Sequence, residues 1–404
     1  MIWNESRECI SRDELIDLQG SRLVKLVKHM YYGTEYYRKK MQQQGIEPGD
    51  IHGLEDLDKL PFTTREDLEN FCSFDTHTAD VWSECAARTI CMSGLSGRDK
   101  ILAAYPYGLS AGAPGICSGA EKTGAAAVPF SISNSSKLAA MMKESGATAV
   151  MCTPAYLMRI ARMAEEYGLL EQLQLKTAIC SAEPWQESAR KQLQTKLGIR
   201  IYDIYGLGEF AEFGAAGECR FQNGMHVQED YYIPEVIDPR TQRAVPDGQK
   251  GELVLTSLCN ERIPLIRYRT ADITSISHNR CRCGRTTARL ERISGRTQQQ
   301  LFIRGKQVSS GQLETALMQL EDIRAVYRVS VKREHHLDTV EVLIGPDEPD
   351  GTLPADEEEA VKRRVAGAVR DIIGIMPNTI VAKQEKNRYF DGRKVTVIDK
   401  RTYN

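Results

Sequence analysis

From about Gly124 to Tyr205 the chain alternates short apolar runs with helical patterns, and this alternation restricts the fold more than any other feature. The apolar runs are Ala125 to Phe130, Ala147 to Thr153, Thr177 to Cys180 and Ile199 to Tyr205. Between them lie the helical stretches Lys137 to Ser145, Ala155 to Tyr167 and Trp185 to Leu197. Such a succession predicts an α/β fold built on a mostly parallel sheet. Ligands of these sheets sit beyond the carboxyl ends of the strands, which is where Thr153-Pro154, Ser181-Ala182-Glu183-Pro184 and Tyr205-Gly206 fall.

After Asp230 the pattern changes. Ile233 to Asp238 and Gly251 to Leu258 flank the turn signal Pro246-Asp247-Gly248, which predicts an antiparallel β subdomain over about 215–295. Beyond Arg296 a third pattern begins. Helices are expected over Gln312 to Leu320 and Glu357 to Ile373, with strands over Ala325 to Lys332, Thr339 to Ile344 and Asn378 to Lys383. The expected organisation is a large N-terminal domain over 1–295 and a small α+β domain over 296–404, a usual domain size.

Charge and hydropathy exclude several classes. Fifty-three Lys and Arg against 55 Asp and Glu leave a net charge of -2, so no global field draws the chain to nucleic acid or an anionic membrane. No stretch approaches the roughly 18 apolar residues of a membrane span, and the first residues lack a signal-peptide core. The eleven cysteines, an odd number spread over a long chain, fit reduced thiols better than a disulfide framework. A cytoplasmic location is the expectation.

Seven groups of residues carry a resemblance. In order they are Leu60-Pro61-Phe62-Thr63-Thr64-Arg65-Glu66-Asp67-Leu68; Tyr105 to Leu109 with Gly119 to Glu121; Cys152-Thr153-Pro154-Ala155-Tyr156; Ala182-Glu183-Pro184-Trp185; Gly217 to Cys219 with His226 to Asp230; Pro264 to Arg269; and Ile293 to Arg296. Together with Tyr205-Gly206-Leu207-Gly208-Glu209 and Ala271-Asp272, they make the chain resemble the phenylacetate-CoA ligase family within the adenylate-forming enzymes. Such enzymes join a carboxylate to AMP, release pyrophosphate, and then pass the acyl group to the thiol of CoA.

The resemblance implies that Ala182, Glu183, Pro184, Tyr205 and Gly206 line an adenine pocket, with Arg296 close by. It implies that Glu209 helps hold Mg²⁺ and that Asp272 accepts hydrogen bonds from ribose hydroxyls, charge-assisted bonds stronger than neutral ones. Tyr105, Tyr107 and Tyr156 would lie near the acyl group, although aromatics serve equally as core. Arg267 and Arg269 read equally as structural ion pairs or as substrate contacts.

Four departures bear on ATP. The family's Ser/Thr/Gly loop, whose backbone N–H groups wrap the phosphates and need glycine's backbone freedom, has no counterpart: only Asn70 to Asp80 separates the Pro61-Phe62-Thr63-Thr64 segment from Val81-Trp82-Ser83-Glu84-Cys85. A few dozen residues are missing there. Ser93-Gly94-Leu95-Ser96-Gly97-Arg98-Asp99-Lys100 is a local candidate replacement, but it falls where an ordinary helix-to-strand turn is expected. At the hinge, where the family has an Asp pair, stand Gln298 and Gln299. At the position of the family's catalytic lysine stands Arg393, followed by Lys394; Arg keeps the charge but not the compact ammonium. Gly208 replaces the hydroxyl residue before the motif glutamate.

One cluster points to different chemistry. Cys219, His226, Cys281 and Cys283 offer three thiolates and one imidazole, with Gly284 closing a short knuckle, a set suited to structural Zn²⁺. Unmetallated cysteines are the alternative.

Three functions stay in view. The first is an enzyme that moves aryl or acyl groups between thioesters of CoA or an acyl carrier protein without making adenylates. The second is a working AMP-forming acid-CoA ligase that uses ATP and Mg²⁺ with a different phosphate cradle. The third is a noncatalytic binding or regulatory protein. A homodimer is the default assembly.

Overall fold

The structure, a computed structural model, describes residues 1–70, 76–105, 112–130, 135–183, 185, 187–208, 214–258, 265–297, 300–303, 306–320, 325–334, 337–346, 358–381 and 395–400 of the 404. The chain opens with helices α1 (Glu5–Glu8), α2 (Arg12–Gly33) and α3 (Glu35–Gln43). Ser11 starts α2 with a capping box: its side chain accepts from the Glu14 N–H while the Glu14 carboxylate accepts from the Ser11 N–H. Leu23, Val27 and Met30 on its inner face pack with Tyr37 and Met41 of α3, all fully buried.

Next come α4 (Thr76–Met92), β1 (Lys100–Ala104), α5 (Gly112–Thr123), β2 (Ala126–Phe130), α6 (Ser135–Ser145), β3 (Ala149–Cys152), α7 (Pro154–Glu166), β4 (Thr177–Cys180), α8 (Glu187–Leu197) and β5 (Arg200–Tyr205). Strands β2, β1, β3, β4 and β5 lie side by side and parallel, as the alternation predicts. Both faces are covered. Leu102, Val150, Ala178 and Ile201 point to α6, α7 and α8, while Ile101, Ala103, Met151 and Ile179 point to α4 and α5. Each fully buried aliphatic side chain contributes roughly 1.5–3 kcal/mol by leaving water. The α4–α5 contact is close because residue 119 is glycine: a Cβ there would lie 2.4 Å from the Ala86 Cβ.

Strands β6 (Ala216–Glu218) and β7 (Met225–Val227) continue the large sheet antiparallel. After β8 (Tyr232–Ile237), β9 (Gly251–Ser257) and β10 (Tyr268–Thr274), the short β11 (Ile276–Ser277) and β12 (Arg289–Leu290) return to its edge, giving the nine-strand order β11-β12-β7-β6-β5-β4-β3-β1-β2. The antiparallel stretch expected over 215–295 is therefore shared between two sheets. Its other part is a separate four-stranded sheet, β13-β10-β9-β8, completed by β13 (Gly295–Arg296). Two- and three-residue strands are too short for a period-2 pattern to register.

The remaining elements are β14 (Gln300–Ile303), β15 (Lys306–Ser309), α9 (Ser310–Met318), β16 (Ala325–Glu334), β17 (Leu337–Pro346), α10 (Glu358–Ile373), β18 (Asn378–Val381) and β19 (Val395–Asp399). Their main sheet has the order β18-β17-β16-β19. Val361, Val365, Val369 and Ile373 form the buried stripe of α10.

Candidate functional site

The carboxyl ends of the parallel strands meet at one edge of the large sheet. There β5 ends on Tyr205, buried, whose hydroxyl donates to Asp272 Oδ2 at 2.7 Å. Arg296 Nε donates to Asp272 Oδ1 at 2.7 Å, so both carboxylate oxygens are held. Burial raises the Tyr205 hydroxyl far above its ordinary pKa, and the Asp272 carboxylate beside it adds to the effect. It stays a donor.

A distortion of β10 puts Asp272 in this place. Arg269 faces Val254 and Ile273 faces Glu252, so Thr270, Ala271 and Asp272 together oppose Leu253 alone. Two extra residues make a bulge. Ala271 takes a φ of 64°, a left-handed conformation uncommon for a residue with a Cβ. Its N–H donates to Glu252 Oε1 at 3.1 Å, and Thr270 Oγ1 donates to Leu253 O at 2.7 Å while accepting from the Asp272 N–H at 3.1 Å.

Around this cluster Tyr105, at the end of β1, is buried with its hydroxyl 2.9 Å from Ser181 Oγ. Glu183 turns back to α7, where it accepts from the Ala155 N–H at 2.9 Å, an acid at a helix N-terminus. Ala182 between them has a φ of 72° and is exposed. Tyr156 is buried in the first turn of α7, beneath Arg159 at 5.6 Å. Gly206 directly follows β5. Tyr107, Pro184, Glu209, Gln298, Gln299, Arg393 and Lys394 lie outside the described residues.

The two arginines before the cluster resolve toward structure. Arg267 is buried, donates to both oxygens of Glu235 at 2.7 and 3.0 Å, and stacks 4.1 Å from the Phe62 ring. Arg269 pairs with Glu252. Ser93 to Lys100 is the turn between α4 and β1. It lies at the amino end of β1, opposite the edge that carries Tyr105 and Tyr205. Its hydroxyls are engaged locally, Ser93 with Ile90 O and Ser96 with Asp99. It is the helix-to-strand turn that the sequence predicts there.

The four expected metal ligands do come together. The ligand atoms of Cys219, His226, Cys281 and Cys283 lie within 4.8 Å of one another. Cys219 and Cys281 sulfurs are 3.8 Å apart, and Cys283 Sγ is 3.3 Å from His226 Nε2. A tetrahedral zinc with Zn–S of about 2.3 Å and Zn–N of about 2.0–2.1 Å implies edges of about 3.8 Å and about 3.6 Å. His226 Nδ1 sits 3.1 Å from Thr287 Oγ1, which leaves Nε2 facing the thiols.

Sequence reasoning missed Glu252, Thr287 and Trp185 as contributors. Trp185 Nε1 donates to Asp203 at 3.3 Å, and Arg292 stacks over its ring at 5.4 Å. Only Trp185 carried a signal, since it closes the Ala182-Glu183-Pro184 group.

Comparison with known proteins places the chain in a family. The AMP-binding enzyme profile matches residues 75–261, and the AMP-binding enzyme C-terminal domain profile matches residues 305–401. The chain is 32% identical to the phenylacetate-coenzyme A ligase of Thermus thermophilus over 444 residues, covering 99% of this chain and 100% of the relative. It is 32% identical to that of Escherichia coli over 425 residues, covering 98% and 97%. Crystal structures of 2-hydroxyisobutyryl-CoA ligase share the fold at 23% identity. One in the postadenylation state has a TM-score of 0.77, covering 98% of this chain and 92% of that one. One in the thioesterification state has a TM-score of 0.71, covering 99% and 93%. With two relatives matched from end to end, the chain belongs to the phenylacetate-coenzyme A ligase family of AMP-binding enzymes.

Proposed function

We propose that the chain binds an aryl or acyl group as its CoA thioester and passes the acyl group to a second thiol, keeping an adenosine-binding seat at Asp272, with ATP-dependent adenylation impaired or lost. One observation carries this reading. Five residues, 71–75, connect the segment ending at Asn70 with α4 at Thr76, and no glycine occurs between Gly53 and Gly94. A triphosphate is gripped by converging backbone N–H groups, and the glycine that such a nest needs is missing from this stretch. The Thermus relative aligns over 444 residues against 404 in this chain, in keeping with a lost segment. Tyr205, Asp272 and Arg296, the residues proposed for the nucleoside seat, are meanwhile present and hydrogen-bonded to one another.

Thiol-to-thiol transfer balances without ATP. The incoming thiolate attacks the thioester carbonyl, its C–S bond forms as the bond to the CoA sulfur breaks, and CoA leaves as a thiolate that takes up the proton. The acceptor is a pantetheine-type thiol, free or on an acyl carrier protein. The division at 295/296 belongs to the same proposal, with Arg296 reaching back to the seat. So does a zinc ion held by Cys219, His226, Cys281 and Cys283, a closed four-ligand set that would stabilise the fold and leave no open position for catalysis.

End-to-end identity to phenylacetate-coenzyme A ligases favours a second reading, a working AMP-forming ligase. Pyrophosphate release over a panel of aryl and alkyl acids with ATP, Mg²⁺ and CoA separates the two. Release at a normal catalytic rate overturns the transfer reading. No release, together with acyl transfer from acyl-CoA to a carrier thiol, supports it. Neither reaction, with retained nucleotide binding, would point to a noncatalytic role.

A further inference from the structure

We infer that Glu252 is a positioning residue, whose buried carboxylate holds the β10 bulge that aims Asp272 into the nucleoside seat. The inference rests on the reading of that seat given above. Glu252 stands second in β9, is 1% exposed, and faces Ile273 across the sheet. Its two oxygens have different tasks. One, Oε2, takes the guanidinium of Arg269, while Oε1 accepts from the backbone N–H of Ala271, the left-handed residue immediately before Asp272.

In a regular ladder this N–H would point away from β9, to the side where the Arg269 N–H donates to Thr63 O. The bulge brings it round to the β9 side, where a buried amide needs an acceptor. Glu252 supplies one. The left-handed turn at Ala271 persists only if its surroundings hold it, and the carboxylate holds it from both sides, through Arg269 before the bulge and Ala271 within it. If Glu252 served only as the ion-pair partner of Arg269, both of its oxygens would be free to face the guanidinium.

The test is AMP affinity measured by calorimetry on the full chain for wild type, Glu252→Ala, Glu252→Gln, Asp272→Ala and the Glu252→Ala/Asp272→Ala pair. The expected loss for Glu252→Ala is about tenfold, and for Glu252→Gln, which keeps a carbonyl oxygen for Ala271, less than about threefold. The double variant should bind AMP no more weakly than Asp272→Ala alone, because Glu252 acts through Asp272. Losses that multiply independently overturn the inference. Adding Ala271→Gly to Glu252→Ala should recover part of the affinity, since glycine adopts the left-handed turn unaided, and this variant also serves if Glu252→Ala alone does not fold. Hydrogen exchange of the ligand-free peptide across 268–274 gives a readout independent of nucleotide: faster exchange in Glu252→Ala and near-normal exchange in Glu252→Gln are expected. Unchanged exchange in Glu252→Ala overturns the inference. Wild type that fails to bind AMP overturns the seat reading instead, and the exchange result then decides the bulge alone.

Discussion

Asp272 and Arg296 are register partners across β10 and β13, and the guanidinium of Arg296 donates from Nε to Asp272 Oδ1 at 2.7 Å. The pairing joins the four-stranded sheet to the segment that leads into the last hundred residues. A single carboxylate is thereby fixed by a strand neighbour on one side and by the Tyr205 hydroxyl, at the end of the large sheet, on the other.

Under the proposed ribose assignment, the Asp272 carboxylate is an acceptor already held in place by Tyr205 and Arg296. Asp272→Ala should weaken AMP binding by about 1.5–3 kcal/mol, the range for hydrogen bonds to a charged group. Calorimetric titration checks this, and unchanged affinity would count against the ribose assignment.

Much of the parallel half was legible because its strands are four to six residues long and separated by amphipathic helices, so two periods alternate cleanly. Asp272 was legible only through resemblance. Its setting was not: a two-residue bulge reads in sequence as ordinary strand, and Glu252 looks like any acid at a strand start. The 22-residue α2 went unread although Ser11 and Glu14 advertised its capping box. Strands β6, β7, β11 and β12 carry too few residues for alternation to show which sheet they join.

Two spacings of the Cys/His quartet, 3.8 and 3.3 Å, lie near those of a tetrahedral zinc, and the proposal that it holds zinc makes metal binding part of folding. About one zinc per chain is expected by elemental analysis. Cys283→Ser should lower zinc content well below one and reduce the melting temperature by several degrees, at roughly 2–4 °C per kcal/mol for a domain of 150–250 residues. Full stability after chelation, with no bound metal at the start, would remove zinc from the account.

Glu84 ties the N-terminal segment to α4. Burial pushes its carboxyl up, but Lys122, Arg88, Asn4 and Trp3 outweigh burial and bring it down to about 2. A depressed carboxyl adds stability above its unfolded value near 4.5 and loses it as pH falls toward 2. Glu84→Gln should therefore cost about 2–3 kcal/mol at pH 7, and the difference from wild type should shrink as pH falls below about 4.5. Urea unfolding at a series of pH values from 7 to 3 measures this, and a difference constant with pH would show that Glu84 contributes through packing instead of charge.

Arg267 stands in the Pro264 to Arg269 group that carries the resemblance, yet its partners are structural. Its guanidinium fills both oxygens of Glu235, donates to Asp58 O at 2.9 Å and Leu60 O at 3.1 Å, and lies on Phe62. These contacts fasten the Pro61-Phe62-Thr63-Thr64 segment to β10, where Thr63 N–H donates to Arg267 O at 3.0 Å. Burial raises the Glu235 carboxyl, so losing the arginine would strand a poorly solvated acid. Arg267→Ala should cost about 3–5 kcal/mol in urea unfolding, the range for breaking a buried pair. Nucleotide affinity of the fraction that stays folded should change by less than about twofold, because the guanidinium of Arg267 is spent on Glu235, Asp58 and Leu60. A large affinity loss with unchanged stability would return Arg267 to the ligand site.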